Sequence, residues 1–398
     1  MDVAERSTLA RELLSRGIQP PDLELAPEVA LLPRELARTR LHIDFPAGLA
    51  PAPQPIVPGP SPDAALPHAD VVVITWTVDE NNALADVLTP GYGRAAWYRY
   101  AKDFQTKYKP FIRGGAPALA AGRMGSYMPT IVGDLSVLCM KSELHLNQDG
   151  TRNVGAEPLP AGTATLPVRD FFDQIIDEVD PKVILTVGTS GSVYEQFTLG
   201  DAVISRAGKF RLASEFRNEA FNGKVYKSDW KIPTDHFDTA TALMAPFSAQ
   251  LQEPAFAPPT KRYHYDGGLI PTDPDIPTIR IEQGGRDMPE FHPILTTDYF
   301  EFGTSANRLD REGCAVEMGD AVLGMAVDAR GGWPKWAAVR NMSDPQINGD
   351  LPTDGPMDLQ AEFAVAYYTN YGYTTSVTGA LATWGILAGL ATAGLPAA

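Results

Sequence analysis

Residues 182–205, KVILTVGTSGSVYEQFTLGDAVIS, decide how this chain is read. Residues 183–187 are a short apolar run without alternation, the pattern of a strand covered by helices on both faces. Gly188-Thr189-Ser190-Gly191 follows as a small-residue loop, and 201–205 reads as a second strand. Glycines let backbone N–H groups come close to a ligand, and hydroxyls bind oxygen atoms. In open α/β sheets ligands sit at the carboxyl ends of strands, which is where this loop falls. Taken alone, the loop serves a ligand or merely turns the chain, and the flanking sequence has to decide.

The chain has 398 residues, 44% hydrophobic and 21% charged, enough to bury one large core or two ordinary ones. A net charge of -16 argues against nucleic acid or an anionic membrane as the main partner, while leaving room for small anionic substrates in a local pocket. Cys139 and Cys314 lie in apolar runs and read as buried free thiols of a cytoplasmic protein. Charges run throughout residues 1–16, so no signal peptide is expected. Residues 379–398 carry no charge and are long enough to span a bilayer. They are mostly Ala, Gly and Thr, however, and Leu381, Trp384, Leu387 and Leu390 follow a helical spacing, which predicts a helix packed on the domain. His236, His264 and His292 have no metal-ligand spacing, so neither metal nor cofactor is expected.

In chain order, 1–16 reads as a short amphipathic helix with Leu9, Leu13 and Leu14 inward. Prolines crowd 17–67 and remove the donors a sheet needs, which predicts an arm outside the sheet (1–69 as a unit) that wraps the body or contacts another subunit, docked through Leu31, Leu32, Ile43, Phe45, Ile56 and Val57. The folded body then runs over 70–398. Residues 70–74 are a central strand, followed by a helix with Glu80 near its N-terminus, where the helix dipole favours a carboxylate. Aromatic and basic residues interleave over 92–130, which in so acidic a chain reads as a packed layer or a lid; 131–146 reads as one or two strands. Residues 168–179 put Phe171, Phe172, Ile175, Ile176 and Val179 on one helical face, as a crossover helix does. Residues 206–293 read as an insertion. Strands resume near Ile294, at 313–318 and at 336–344, and a closing helix spans 374–390.

Four strand ends thus offer Glu80, the 188–191 loop, Glu317-Met318 and Ser343-Asp344. In this arrangement the chain resembles the nucleoside phosphorylase and nucleosidase superfamily, and within it the methylthioadenosine/S-adenosylhomocysteine nucleosidase branch. ILTVGTSGSVYEQFTLGDAVIS resembles the family's glycine loop and following strand. GCAVEMGDAV resembles its ribose-binding V-E-M-E-x-A motif, AAVRNMSD its V-R-x-I-S-D motif, TTDYFEF the segment that frames the base, and TVDENNALADVL its A-M-E-x-E helix start. The resemblance implies an α/β fold of three layers, a central mixed, partly closed β-sheet flanked by helices, and a homodimer or larger assembly. It also implies cleavage of the N-glycosidic bond of a purine nucleoside or nucleotide. By resemblance, Asp344 is the acid to the base, oriented by Ser343, and Glu80 activates a water. Gly188, Thr189, Ser190 and Gly191 line the site, Glu317 holds the sugar hydroxyls, Met318 packs on the sugar and Phe300 stacks on the base. The chemistry suits these residues: the sugar passes through an oxocarbenium-like state, and a carboxyl group kept from water retains a proton to give.

The departures are informative. Where hexameric phosphorylases place an arginine before the glycine loop, this chain has Thr186; in place of a G-x-P-x-R loop it has Thr-Val-Asp-Glu. Both favour water over phosphate as co-substrate, and phosphorolysis through Arg113 or Arg123 is the alternative. Gly319 stands where the family has a second Glu, which leaves the sugar open and keeps a catalytically degenerate nucleoside-binding protein as a further alternative.

Overall fold

The computed structural model describes residues 2–15, 41–146, 158–195, 197–247, 279–282, 292–353 and 358–397. Helix α1 (Val3–Ser15) opens the chain. Ser7 and Ala10 are buried and Leu9 half-buried, while the side chains of Leu13 and Leu14 lie outside those described. Leu31 and Leu32 of the arm also lie outside the described residues. Further on, Leu41, Ile43, Phe45 and Leu49 pack on the core, while Val57 is exposed. Strand β1 (Ala52–Pro53) corrects the reading of the arm as wholly outside the sheet. It pairs antiparallel with Ile131 and Thr130 at an edge, where a proline's missing donor is tolerated.

The body follows from one pattern. In β2 (Val71–Thr75), Val71 and Val73 enter one apolar cluster and Val72 and Ile74 the other, so period-2 alternation serves two cores. Helix α2 (Val78–Leu88) follows, then β3 (Tyr98–Tyr100) and α3 (Pro117–Ala121). The aromatic 92–130 stretch is a packed layer: Tyr100 and Tyr108 lie on Phe171, and no residue of it lines the cavity described below. Strands β4 (Gly125–Val132) and β5 (Leu135–Ser142) form a hairpin, beginning earlier than the sequence suggests. Helix α4 (Pro167–Val179) crosses over to β6 (Val183–Ser192) as expected.

Strand β6 overturns the expected loop at 188–191. Those residues continue the strand, because Gly188–Gly191 stay in parallel register with a later strand, Arg340↔Gly188 to Asp344↔Gly191 with one bulge. After β7 (Ala202–Ser205) and β8 (Ala207–Phe210) come β9 (Val225–Lys227), α5 (Phe237–Met244) and β10 (Ile279–Glu282). Within the supposed insertion, β8 is itself a strand of the main sheet, parallel to β11 (Ile294–Thr296); 248–278, with His264, and 283–291 lie outside the described residues. Then follow β12 (Ala315–Glu317), α6 (Asp320–Asp328), β13 (Lys335–Asp344) and α7 (Leu359–Ala393).

The thirteen strands found among the described residues form one mixed sheet. One ladder runs β6–β12–β11–β8 and another β6–β13–β7; they meet at Arg206, between β7 and β8, so part of the sheet curls closed. One core cluster gathers residues of α2, α5 and α7, the other residues of α4 and α6, giving three layers. Helix α7 is the one helix among the described residues long and apolar enough to cross a membrane, and 83% of its apolar window is buried inside the fold. Trp384 shows why: its indole is fully buried, donates to the Leu49 carbonyl at 2.8 Å and packs 5.2 Å from Phe45, tying helix to arm. Trp384→Ala is expected to cost about 3–5 kcal/mol, read as a lowered urea midpoint.

Candidate active site

Strand β2 stops at Thr75, and its last partner on β6 is Thr186. On that edge of β6 the next partner, β12, begins only at Gly191. Between them lies a short length of unpaired strand edge, and side chains take the place of a neighbouring strand. The Thr189 N–H donates to Glu80 Oε1 at 2.8 Å, and the Thr189 carbonyl accepts from Arg340 Nη1 at 3.4 Å. The missing strand leaves a cavity there, lined by Trp76, Thr77, Glu80, His145, Thr189, Ser190, Gly191, Phe300, Glu301, Val316, Glu317, Met318, Gly319, Arg340, Ser343, Asp344 and Tyr368, among others. Gly188 lies behind it: a Cβ there would meet Arg340 and Glu80 within 3 Å, so only glycine admits both side chains.

Glu80 sits at the third position of α2 and closes a capping box with Thr77. Its Oε2 accepts from Thr75 Oγ1 at 2.9 Å, Trp76 N at 3.0 Å and Thr77 N at 2.8 Å; its Oε1 also accepts from Thr189 Oγ1 at 2.7 Å. Burial pushes this carboxyl up, but Arg340 and the bonds from Thr77 and Thr189 outweigh burial and hold it below its ordinary value. It is an ionised group with every lone-pair direction engaged.

Asp344 is the opposite case. Burial pushes it up to about 7, against the bond from Ser343, which acts to lower it. Ser343 Oγ donates to its Oδ1 at 2.8 Å. Its Oδ2 lies against Gly191, 2.8 Å from where a Cβ would stand. Glu80 at Gly188 and Asp344 at Gly191 are therefore separated by three residues of extended strand, about 10 Å along it.

Glu317, at the end of β12, accepts from Thr296 Oγ1 at 2.5 Å and Asp320 N at 2.9 Å on one oxygen, and from Gly319 N on the other, which also ion-pairs with Arg340 Nη2 at 3.2 Å. Burial and the neighbouring Asp320 charge push it up to about 7, against the pull of Arg340. Arg340 is 2% exposed, grips Asp320 through Nε at 2.8 Å and through Nη2, and lies 5.1 Å over the Trp76 ring. Phe300 stands on the cavity wall beside Phe302, and Met318 on the same wall as Glu317. Asp298, in the segment compared with the base-framing motif, points elsewhere: it accepts from the N–H groups of Ala213, Ser214 and Phe216.

Every site residue expected from the sequence except Gly188 lines this one cavity, and Gly188 backs it. The sequence reading missed Arg340, which the V-R-N-M-S-D stretch itself contains, and Trp76, one residue past β2. It also missed His145, Tyr368 and Ala10, for which no local signal exists. His145 is buried, and desolvation with the nearby Lys141 charge lowers it to about 4, so its ring is neutral. Tyr368 reaches from α7 to Thr77 Oγ1 at 3.1 Å. Ala10 comes from α1, which lies over the cavity through Arg6 with Glu301 (3.0 Å), Ser7 with Ser214 (2.7 Å) and Arg11 with Glu215 (2.6 Å).

No protein-family model matches the chain, and no curated protein matches it. Among solved structures it is similar to futalosine hydrolase of Helicobacter pylori, at 10% identity over 79% of this chain and 96% of that one, with a TM-score of 0.41. It is similar to the 5'-methylthioadenosine/S-adenosylhomocysteine nucleosidase of Neisseria meningitidis, at 12% identity over 80% and 99%, TM-score 0.42. The S-adenosylhomocysteine nucleosidase of Streptococcus pyogenes gives 12% identity over 82% and 99%, TM-score 0.41.

Arg340 balances two buried carboxylates, so its loss strands them. Arg340→Met is expected to cost about 3–5 kcal/mol at neutral pH by urea unfolding. Because Arg340 lowers Glu317, its loss raises that carboxyl above about 7, so the cost should be smaller below pH 7, where Glu317 is protonated with or without the cation, and should grow as pH rises above it.

Proposed function

We propose that this protein is a nucleosidase, hydrolysing the N-glycosidic bond of a purine nucleoside or nucleotide. One observation carries the reading. Of the carboxylate oxygens lining the cavity, those of Glu80, Glu301 and Glu317 all accept hydrogen bonds from the protein. Asp344 Oδ1 is engaged by Ser343, and among the described residues Asp344 Oδ2 is the one of these oxygens with no hydrogen-bond partner. Burial pushes both Asp344 and Glu317 up to about 7, and of these two only Asp344 keeps an oxygen open among the described residues. A site with one open acidic oxygen is suited to giving one proton to a leaving group.

In this mechanism Asp344 donates to the ring nitrogen N7 of the base as the bond from N9 to the anomeric carbon breaks. The electron pair leaves with the base. The sugar becomes cationic near the fixed negative charge of Glu80, which stabilises it without reorganisation. Water adds to the anomeric carbon, and its proton passes to the Thr189 hydroxyl, which hands its own to Glu80 Oε1, 2.7 Å away. Glu80 thus activates water through Thr189, because its oxygens are already engaged. A base held below its ordinary pKa suffices here, since an oxocarbenium ion needs only a weak nucleophile. Phe300 offers a face to the base, and Met318 to the sugar.

Water is favoured over phosphate by charge. The lining holds the carboxylates of Glu80 and Glu301 together with the acids Glu317 and Asp344, and its one guanidinium, Arg340, is committed to Asp320 and Glu317. Arg113 is paired with Glu215 and Arg123 with Glu143, so neither is spare to bind an anion.

Asp344→Asn is expected to lower turnover about 10²–10⁴-fold while the melting curve stays cooperative. Chromatography of a purine nucleoside digest checks this, and free sugar without phosphate dependence identifies hydrolysis. Wild-type rates in the variant would remove Asp344 from the acid's role. A separate measurement is the pH profile of kcat. The working form of Asp344 is protonated and its pKa is raised to about 7, so kcat should fall as pH rises through that value. A profile flat from pH 6 to 9 would contradict the assignment.

A further inference from the structure

Trp76 and Gly319 occupy one place between them. A Cβ built on Gly319 would stand 3.2 Å from Trp76 Cζ2 and 3.4 Å from Glu317 Oε2, so the indole covers the position any side chain there would use. Trp76 is fixed from its other sides, against Phe172 at 6.4 Å and under Arg340 at 5.1 Å. The neighbouring carboxylates have nothing left to offer a ligand. Glu317 is saturated by Thr296, Gly319, Asp320 and Arg340, and Asp320 is fully buried and gripped by Arg340. Glu80 is saturated by β2, α2 and Thr189.

A vicinal sugar diol is recognised with high selectivity by a pair of acceptor oxygens in fixed geometry, since an analogue lacking one hydroxyl then leaves a buried acceptor unpaired. Here the wall beside Met318 presents an aromatic face and a glycine instead. Apart from Asp344, assigned to the base, and the engaged Glu301 and Arg340, the remaining polar side chains lining the cavity among the described residues are hydroxyls and the His145 imidazole, each a single-point partner. From this geometry we infer that the site does not read the 2'-hydroxyl, and that it accepts purine 2'-deoxyribonucleosides as substrates alongside ribonucleosides. The inference rests on the nucleosidase reading and specifies its substrate class. Chemistry reinforces it: a 2'-hydroxyl withdraws electrons from the forming sugar cation, so a site indifferent to that group turns the deoxy substrate over at least as fast.

The test is kcat/KM of the full chain on matched pairs, adenosine with 2'-deoxyadenosine and guanosine with 2'-deoxyguanosine. Binding of the same pairs to Asp344→Asn is measured by calorimetry, where the substrate stays intact. The expected result is a deoxy rate equal to or above the ribo rate and dissociation constants within about tenfold of each other. A ribo preference above about a hundredfold in both measurements would overturn the inference while leaving the nucleosidase reading standing. Neither cleavage nor binding of any pair would overturn both. A double variant, Trp76→Ala with Gly319→Glu, places a carboxylate where the indole was. It should shift binding toward the ribonucleoside by tenfold or more, and no shift would overturn the role given to Trp76.

Discussion

The carboxylate of Glu80 is the joint on which the site depends. Strand β2 ends, α2 begins, and β6 carries on with an unpaired edge; all three leave backbone N–H groups without strand or helix partners. One buried anion takes the N–H groups of Trp76, Thr77 and Thr189 together, with two threonine hydroxyls. Each of those donors, if left alone in a buried place, would cost about 1–3 kcal/mol. Satisfying them with a side chain and not a strand leaves open space beside β6, and the cavity is that space.

The same economy governs charge. Glu317 and Asp320 share Arg340, which also caps the Thr189 carbonyl, so the second half of the unpaired edge is closed by a cation where the first is closed by an anion. Removing such charges from water is expensive and tolerated only when hydrogen bonds saturate them. Saturation has a functional consequence. The carboxylates that hold the fold together have no open oxygen, and among the described residues Asp344 is set apart by having one. Burial raises Asp344 against its serine bond, and the full set of donors with Arg340 lowers Glu80, which separates a carboxyl that holds its proton from a permanent anion.

Helix α1 adds a layer that belongs to neither core. Its attachments to Glu301, Ser214 and Glu215 are polar, and it brings Ala10 to the cavity wall from the far end of the chain. Helix α7 does the reverse, entering as an apolar column between sheet and arm while delivering Tyr368 to the same wall.

Much of this was legible in the residues. The unalternating valines of 71–74 could only be a strand covered on both faces, and Ser343-Asp344 at the end of such a run had to emerge at a sheet's carboxyl edge. Glu80 was legible as a helix-start anion because capping is local, settled within three residues. What the order of residues could not fix was the course of 188–191: two glycines and two hydroxyls suit a loop, and only the registers of β13 and β12 hold them extended. Nor could it fix which carboxylate keeps a free oxygen, since that depends on donors from Thr189, Thr296, Arg6 and Arg340, tens to hundreds of residues away. Local propensity and periodicity determined the elements. Long-range hydrogen-bond partnership, which exists only once the sheet has closed, decided which buried carboxyl keeps an open oxygen among the described residues.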